Sequence, residues 1–392
     1  MSDDSTVGSR LRRLAKLRGL TQDDLRRKTG LSLRTIKDVM GDHGNHRNET
    51  LHKIAVALEV HTSDLATAGQ PEHQPVAGER WEDVRDALYR RSPGPEPDEP
   101  ATAAGVLAAL ADLTPAWRAG KYSTVRPALP GMIREAMSLG SSEEDRAARS
   151  RALSATAWLL NMTRQFDDAW TAARLAKDAA PDLPDTIAAV SMQCWCLLRQ
   201  GRAAEAGALA VEWADRAEPR FSRATTGELA GYGKLMLYVA NAMTTDNQPG
   251  QADDALSLAR AAASRIGRDV PFSVATTARF GPATVNVIAA ESAALSWQPD
   301  TTLALAERVR GTLGGIEPAQ RLRHHLDIAS AHAMKRQYGD VVEVMTGLRH
   351  QAPEWLRNQQ YARDILEGII RRRRGPWTPK LRDLAVAVQL PV

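Results

Sequence analysis

Two cysteines, few aromatic residues and no long apolar run narrow what this 392-residue chain can be. Cys194 and Cys196 stand two apart in a stretch of helix-forming residues, so they face different directions. Neither a disulfide framework nor a four-ligand zinc site can be assembled from them, and ordinary buried thiols are the reading. Aromatic side chains make up 5% of the chain, and signals for strand are nearly absent. The first ten residues, MSDDSTVGSR, contain no apolar segment of the kind that directs secretion, and nothing further on approaches the length of a bilayer span. A cytoplasmic protein without a membrane partner is expected. The chain also lacks a phosphate-cradling GxxxxGK[ST] loop and a GxSxG elbow. Its densest ionisable cluster, His324, His325, Asp327 and His332, has no Cys or Glu at metal-ligand spacing. No catalytic residue, metal or cofactor is therefore assigned, and the chain is not expected to be an enzyme.

What is present favours helix. Hydrophobic residues make up 43% of the chain, and Ala, Leu and Arg are abundant throughout. The length is too great for one compact helical domain, so a small domain and a large one are expected. The formal net charge of +4 suits an anionic partner without establishing one. Basic side chains crowd the first 68 residues, among them Arg10, Arg12, Arg13, Arg26, Arg27, Lys28, Arg34, Lys37 and Lys53. A solvated helical surface would account for them equally well.

Residues 21–38, TQDDLRRKTGLSLRTIKD, read as two short helices joined by a tight turn. Thr21 is placed to cap the first, with Asp24 three residues on, and Ser32 to cap the second. Gly30 allows the reversal between them. Leu25, Leu31, Ile36 and Val39 fall where two packed helices need apolar side chains. Leu33, Arg34, Lys37 and Asp38 are then left on the outer face of the second helix, where a helix laid in a major groove meets base edges.

With the flanking Leu11-Leu14, Leu20-Thr21-Gln22, Thr50-Leu51, Ile54-Ala55, Leu58, Val60 and Asp64-Leu65, residues 7–65 resemble the Cro/repressor class of helix-turn-helix domains, the xenobiotic-response-element family. The resemblance implies five helices, near 7–18, 22–29, 33–41, 49–58 and 62–66, in a DNA-binding domain spanning 7–67. It implies that Gln22 supports the reading helix or touches a phosphate, and that Ser32 and Thr35 offer hydroxyls to the DNA backbone. On the base-reading face Arg34 would contact guanine and Leu33 a thymine methyl, beside Lys37, while Asp38 would accept from cytosine or else repel phosphate. The chain departs from the family at Met40, where an acidic residue often closes the reading helix. In the loop that follows, Arg47 is the candidate for a phosphate or minor-groove contact.

Beyond residue 67 the chain becomes a Gly- and Pro-rich linker, 68–103, that holds one short amphipathic helix near 79–91 with Trp81. The sequence does not decide whether this helix packs on the large domain or on a partner. From 104 to 390 helical pairs recur, turning at Gly120-Lys121, Gln165-Phe166, Gly201-Arg202 and Gln337-Tyr338, and more loosely at Pro249-Gly250 and Gln298-Pro299. The pattern resembles tetratricopeptide repeats at irregular spacing, which implies an α-solenoid whose concave surface is lined by the first helix of each pair. Trp158, Asn161, Gln193, Tyr232, Lys234, Tyr238, Arg279, Asn286, Arg323 and Asp327 are the candidates to furnish that surface for an effector. The carboxyl half is similar to actinobacterial regulators that pair such a domain with these repeats. In architecture the chain also resembles peptide-sensing regulators of Gram-positive bacteria.

The fold class expected is all-α: a five-helix helix-turn-helix domain followed by a solenoid of tetratricopeptide-like pairs. The function expected is a transcriptional regulator that binds a double-stranded DNA operator as a homodimer through helix 33–41. Its repeat domain would mediate dimerisation and bind a peptide or small-molecule effector. The alternative is an adaptor that uses the repeats to grip a protein partner.

Overall fold

Five helices open the chain: α1 (Val7–Leu17), α2 (Gln22–Thr29), α3 (Leu33–Met40), α4 (Asn48–Leu58) and α5 (Thr62–Leu65). The structure, a computed structural model, describes residues 6–43, 46, 48–65, 81–91, 99–273, 278–372 and 376–390, with Asn48 described in its backbone only. Thr6, Thr21 and Ser32 cap α1, α2 and α3. At α2 the Asp24 N–H donates to Thr21 Oγ1 at 3.2 Å while the Thr21 N–H donates to the Asp24 carboxylate at 2.9 Å. This reciprocal pair satisfies two N–H groups that a helix start would otherwise leave bare. Gly30, at φ 67°, ends α2 in the left-handed region and turns the chain into α3. Leu11, Leu25, Ile36, Ile54 and Leu65 are fully buried in one shared core. Each contributes about 1.5–3 kcal/mol by leaving water.

After α6 (Glu82–Leu88) a helical body begins. Its elements are α7 (Ala103–Arg118), α8 (Tyr122–Val125), α9 (Leu129–Ser138), α10 (Glu143–Met162), α11 (Phe166–Ala179), α12 (Leu183–Arg199), α13 (Ala203–Arg216), α14 (Thr226–Thr245) and α15 (Pro249–Ile266). A two-residue antiparallel pair, β1 (Val270–Pro271) with β2 (Arg279–Phe280), follows. Then come α16 (Pro282–Leu295), α17 (Pro299–Val309), α18 (Pro318–Met334), α19 (Tyr338–Gln351), α20 (Pro353–Arg357), α21 (Gln360–Arg372) and α22 (Pro379–Ala387). The protein is helical almost throughout, and no helix of the described residues is long and apolar enough to cross a membrane. The sequence left the place of α6 open. It packs on α9 and α11 with Trp81 buried, Arg85 ion-paired to Asp168 at 3.0 Å and Tyr89 hydrogen-bonded to Thr171 at 3.1 Å.

One turn joins successive helices at six places among the described residues of the body. Two residues past the end of α7, α10, α12, α14, α16 and α18, a residue sits in the left-handed region: Gly120, Arg164, Gly201, Asn247, Trp297 and Arg336, at φ 60–75°. The N–H of the residue after it reaches back to a carbonyl of the helix's last turn, as Gln165 N donates to Leu160 O at 2.8 Å and Gln337 N to His332 O at 2.9 Å. These are Schellman closures. Consecutive helices pack on each other, and α10, α12, α14, α16 and α18 also contact one another in order, with α21 against α18.

The two ends of this row meet. Ser123 at α8 donates from its N–H and its hydroxyl to the Glu354 carboxylate of α20, at 2.8 and 2.7 Å. The Gly120 turn sits against Trp355 and Ala352. Residues of α10, α12, α14, α16, α18, α20 and α21 line a cavity in this body.

Candidate functional site

The outer face of α3 is bare. Arg34 is almost fully exposed, with its guanidinium 3.8 Å from Asp38 one turn on, while Ile36 and Val39 anchor the opposite face. Ser32 and Lys37 are exposed, and Leu33, Thr35 and Asp38 are half-buried at the edges of the same face. Ser32 Oγ accepts the Thr35 N–H at 3.0 Å and lies 2.8 Å from Thr35 Oγ1, so the two hydroxyls sit together at the start of the helix. Gln22, first in α2, donates to Met40 Sδ at 3.4 Å and ties the start of α2 to the end of α3. Arg12 donates to the Met40 carbonyl, and Gly8 N–H to the Asp42 carboxylate at 2.6 Å, so α1 fixes that end of α3 as well. Arg47 lies outside the described residues.

The opposite side of this unit is seated on the body through α4 and α5. Thr62 N–H donates to Asp246 O at 3.3 Å and Ser63 N–H to Asp246 Oδ1 at 2.8 Å. Asn247 donates to the Val60 carbonyl at 2.9 Å, and Lys53 Nζ lies 3.9 Å over the Trp297 ring. Asp246, Asn247 and Trp297 belong to two successive copies of the recurring turn. Buried His52 meets Thr62 Oγ1 at 3.0 Å and braces α4 against α5.

One turn before Lys53, Glu49 of α4 forms part of the wall of the cavity in the body. The cavity measures about 390 Å³ and is lined by the rings of Trp158, Trp195, Trp355, Tyr238 and Tyr361, by Arg199, Lys234 and Arg323, and by Glu49, Glu291, Glu317 and Asp364. The Trp158 ring centre lies 5.2 Å from that of Trp117 and 6.2 Å from that of Trp195, with the planes tilted by 39° and 42°. Arg323 is held between Glu291 at 3.1 Å and Asp327 at 3.5 Å, over the Tyr361 ring. Burial pushes the Lys234 ammonium down, partly opposed by Glu317 and Glu291, and pushes the Glu317 carboxyl up. Burial, with the like charges of Arg323 and Arg164, also lowers Arg199, to about 10.

Of the ten side chains expected on this surface, Trp158, Lys234, Tyr238 and Arg323 line the cavity. The others do not. Asn161 and Gln193 are buried within the wall, Asn161 donating to the Met192 carbonyl at 3.3 Å. Tyr232 stacks edge-on with Phe221, Arg279 donates to the Asp269 carbonyl, and Asn286 is half-buried elsewhere on α16. Asp327 is fully buried behind Arg323. The reason is helical phase. On α14 the cavity stripe is Lys234, Leu237, Tyr238, Asn241 and Thr245, and on α12 it is Met192, Trp195 and Arg199, steps of three and four that exclude Tyr232 and Gln193. The same spacing would have found Trp195 and Arg199, which the sequence reading missed. Nothing local marks Glu49 or Trp355, which arrive from distant segments.

His324 is fully buried with neither ring nitrogen hydrogen-bonded, and among the described residues no three His, Cys, Asp or Glu are grouped to hold a metal ion. Cys194 and Cys196 are buried free thiols, pushed up to about 12 by burial. No curated protein and no solved structure matches the chain. Residues 10–69 match the family model of the Cro/C1-type helix-turn-helix DNA-binding domain, and the chain thus carries a DNA-binding domain of that type, which supports a DNA-binding regulator.

Proposed function

We propose that this protein is a sequence-specific transcriptional regulator that binds a double-stranded operator as a homodimer through α3. In this reading Ser32 and Thr35 contact the DNA backbone, Gln22 supports α3 or touches a phosphate, Arg47 contacts a phosphate or the minor groove, and Leu33, Arg34, Lys37 and Asp38 face the bases. The observation that carries it is the orientation of the Cro/C1-type unit: α4 and α5 are seated on the body while the α3 face stays bare. A single reading helix sees few base pairs, so two half-sites about one helical turn apart are required for useful affinity. The body, read as tetratricopeptide-like pairs, supplies the dimer interface and an effector cavity for a small molecule or short peptide.

Coupling follows from α4. Glu49 borders the cavity and Lys53, one turn on, rests on Trp297, so an occupant that displaces Glu49 changes how the DNA-binding unit is seated. An effector that favours one seating over another shifts the spacing of the two reading helices. A genome-wide binding map of the protein, followed by titration of a mapped site with and without cell extract, tests the proposal. Discrete sites whose affinity changes with extract are the expected result, and no discrete sites would refute it.

A further inference from the structure

The cavity's charges are unevenly matched. Each carboxylate has a donor of its own: Glu291 faces Arg323 at 3.1 Å, Glu49 faces Lys53 at 2.8 Å, Glu317 accepts the Gln320 N–H at 2.9 Å and Asp364 accepts from Gln360 at 3.0 Å. Arg199 has no acid. Its guanidinium donates to Gln359 Oε1 at 3.3 Å and otherwise lies 5.9 Å from the ring centres of Trp195 and Phe166. The charged groups that act on it, Arg323 and Arg164, carry the same sign. A guanidinium held in a half-buried wall without a counter-charge is costly, and a carboxylate is the partner that fits its paired N–H donors. A second donor waits nearby: the Trp355 indole N–H is buried, borders the cavity and has no hydrogen-bond partner. Both groups call for an acceptor. Beside them, Trp158 and Trp195 line the cavity with two indole rings tilted 42° to each other, apolar surface against which a ring can pack, and the volume of about 390 Å³ admits a molecule of a few fused or linked rings at most.

We infer that the cavity binds a small organic acid bearing an aromatic ring, with its carboxylate on Arg199 and its ring against Trp158 and Trp195. This rests on the reading of the cavity as an effector site and narrows it to one chemical class. The ligand brings a negative charge to Arg199, and its ring replaces water against the indoles.

The test is calorimetric titration of the full-length protein with three probes sharing one ring: indole-3-acetate, indole-3-acetamide and tryptamine. The acid is expected to bind at least about tenfold more tightly than the amide or the amine, because only it pairs with the guanidinium. In Arg199→Gln, with helix content unchanged by circular dichroism, the advantage of the acid disappears, whereas Arg216→Gln, on the outer surface, keeps it. Should Arg199→Gln fail to fold, the ranking of the three probes on the wild-type protein decides alone. Amide or amine binding as tightly as the acid overturns the inference, as does failure of all three to bind. In either case a mapped operator whose affinity still responds to cell extract shows that the regulator reading survives and only the ligand class is wrong.

Discussion

The Asp246 carboxylate, in the turn between α14 and α15, accepts the Ser63 N–H at 2.8 Å, so a residue of the helical body caps the last helix of the DNA-binding unit across 183 positions of sequence. A four-residue helix such as α5 cannot hold its own first turn, and the bond is also part of the seat. Asp246→Ala is expected to weaken the seat by about 0.5–2 kcal/mol, the usual loss for a removed N-cap. Hydrogen exchange at residues 61–65 should quicken while exchange within α10 and α12 stays unchanged. Unaltered exchange at 61–65 would mean that other contacts hold the unit in place.

Gly233, on α14, faces the Phe280 ring so closely that a Cβ built there would lie 2.0 Å from Cζ. Alanine normally gains about 1 kcal/mol over glycine inside a helix. Here overpacking, at about 1–3 kcal/mol, outweighs that gain. Gly233→Ala should therefore lower the midpoint of denaturant unfolding, and pairing it with Phe280→Leu should recover part of the loss. A stabilised Gly233→Ala would show that the ring moves aside freely.

Much of the amino-terminal unit was legible because its signals are local. Thr21, Gly30 and Ser32 each act within three or four residues, and the structure places them as caps and turn as read. The recurring turns of the body were legible where Gly120 and Gly201 mark them. Those at Gln165-Phe166 and Gln337-Tyr338 were legible too, although Arg164 and Arg336 take the left-handed position that glycine favours, and the turns were looser near Pro249 and Pro299, where Asn247 and Trp297 take it. The cavity was half legible. Trp158, Lys234, Tyr238 and Arg323 were found, but the phase of each helix decides which neighbours share their face, and the meeting of Ser123 with Glu354 has no local signature.

Acid should destabilise the body through His324. Burial, then the neighbouring His325, lowers its imidazole to about 4, below the ordinary histidine value, and neither ring nitrogen has a partner. Between about pH 6.5 and the lowered value the unfolded chain takes up a proton that the folded one refuses, so stability falls as pH drops through that window, by up to about 1.4 kcal/mol per unit. Buried His52 is shifted in the same direction and adds to the slope. Urea unfolding at pH 7 and pH 5 measures it. His324→Leu should flatten the dependence, and an unchanged slope in that variant would remove His324 as its source.

Arg34 and Lys37 are expected to differ in what they lose. Arg34→Ala should cost about 1–3 kcal/mol at the specific site and relax the preference for one base pair, while Lys37→Ala tests whether its exposed ammonium reads a base or a phosphate. A phosphate contact would weaken all sequences alike and reduce the salt slope by about 1.

The most direct measurement is the affinity of the full-length protein for a mapped genomic fragment and for a scrambled one, across a series of salt concentrations, for wild type and Arg34→Ala. Binding of the mapped fragment that exceeds the scrambled one, falls steeply with salt and loses its preference in Arg34→Ala is the result predicted. Equal binding of the two fragments by wild type, or a preference untouched by Arg34→Ala, would contradict the assignment of α3 as the reading helix.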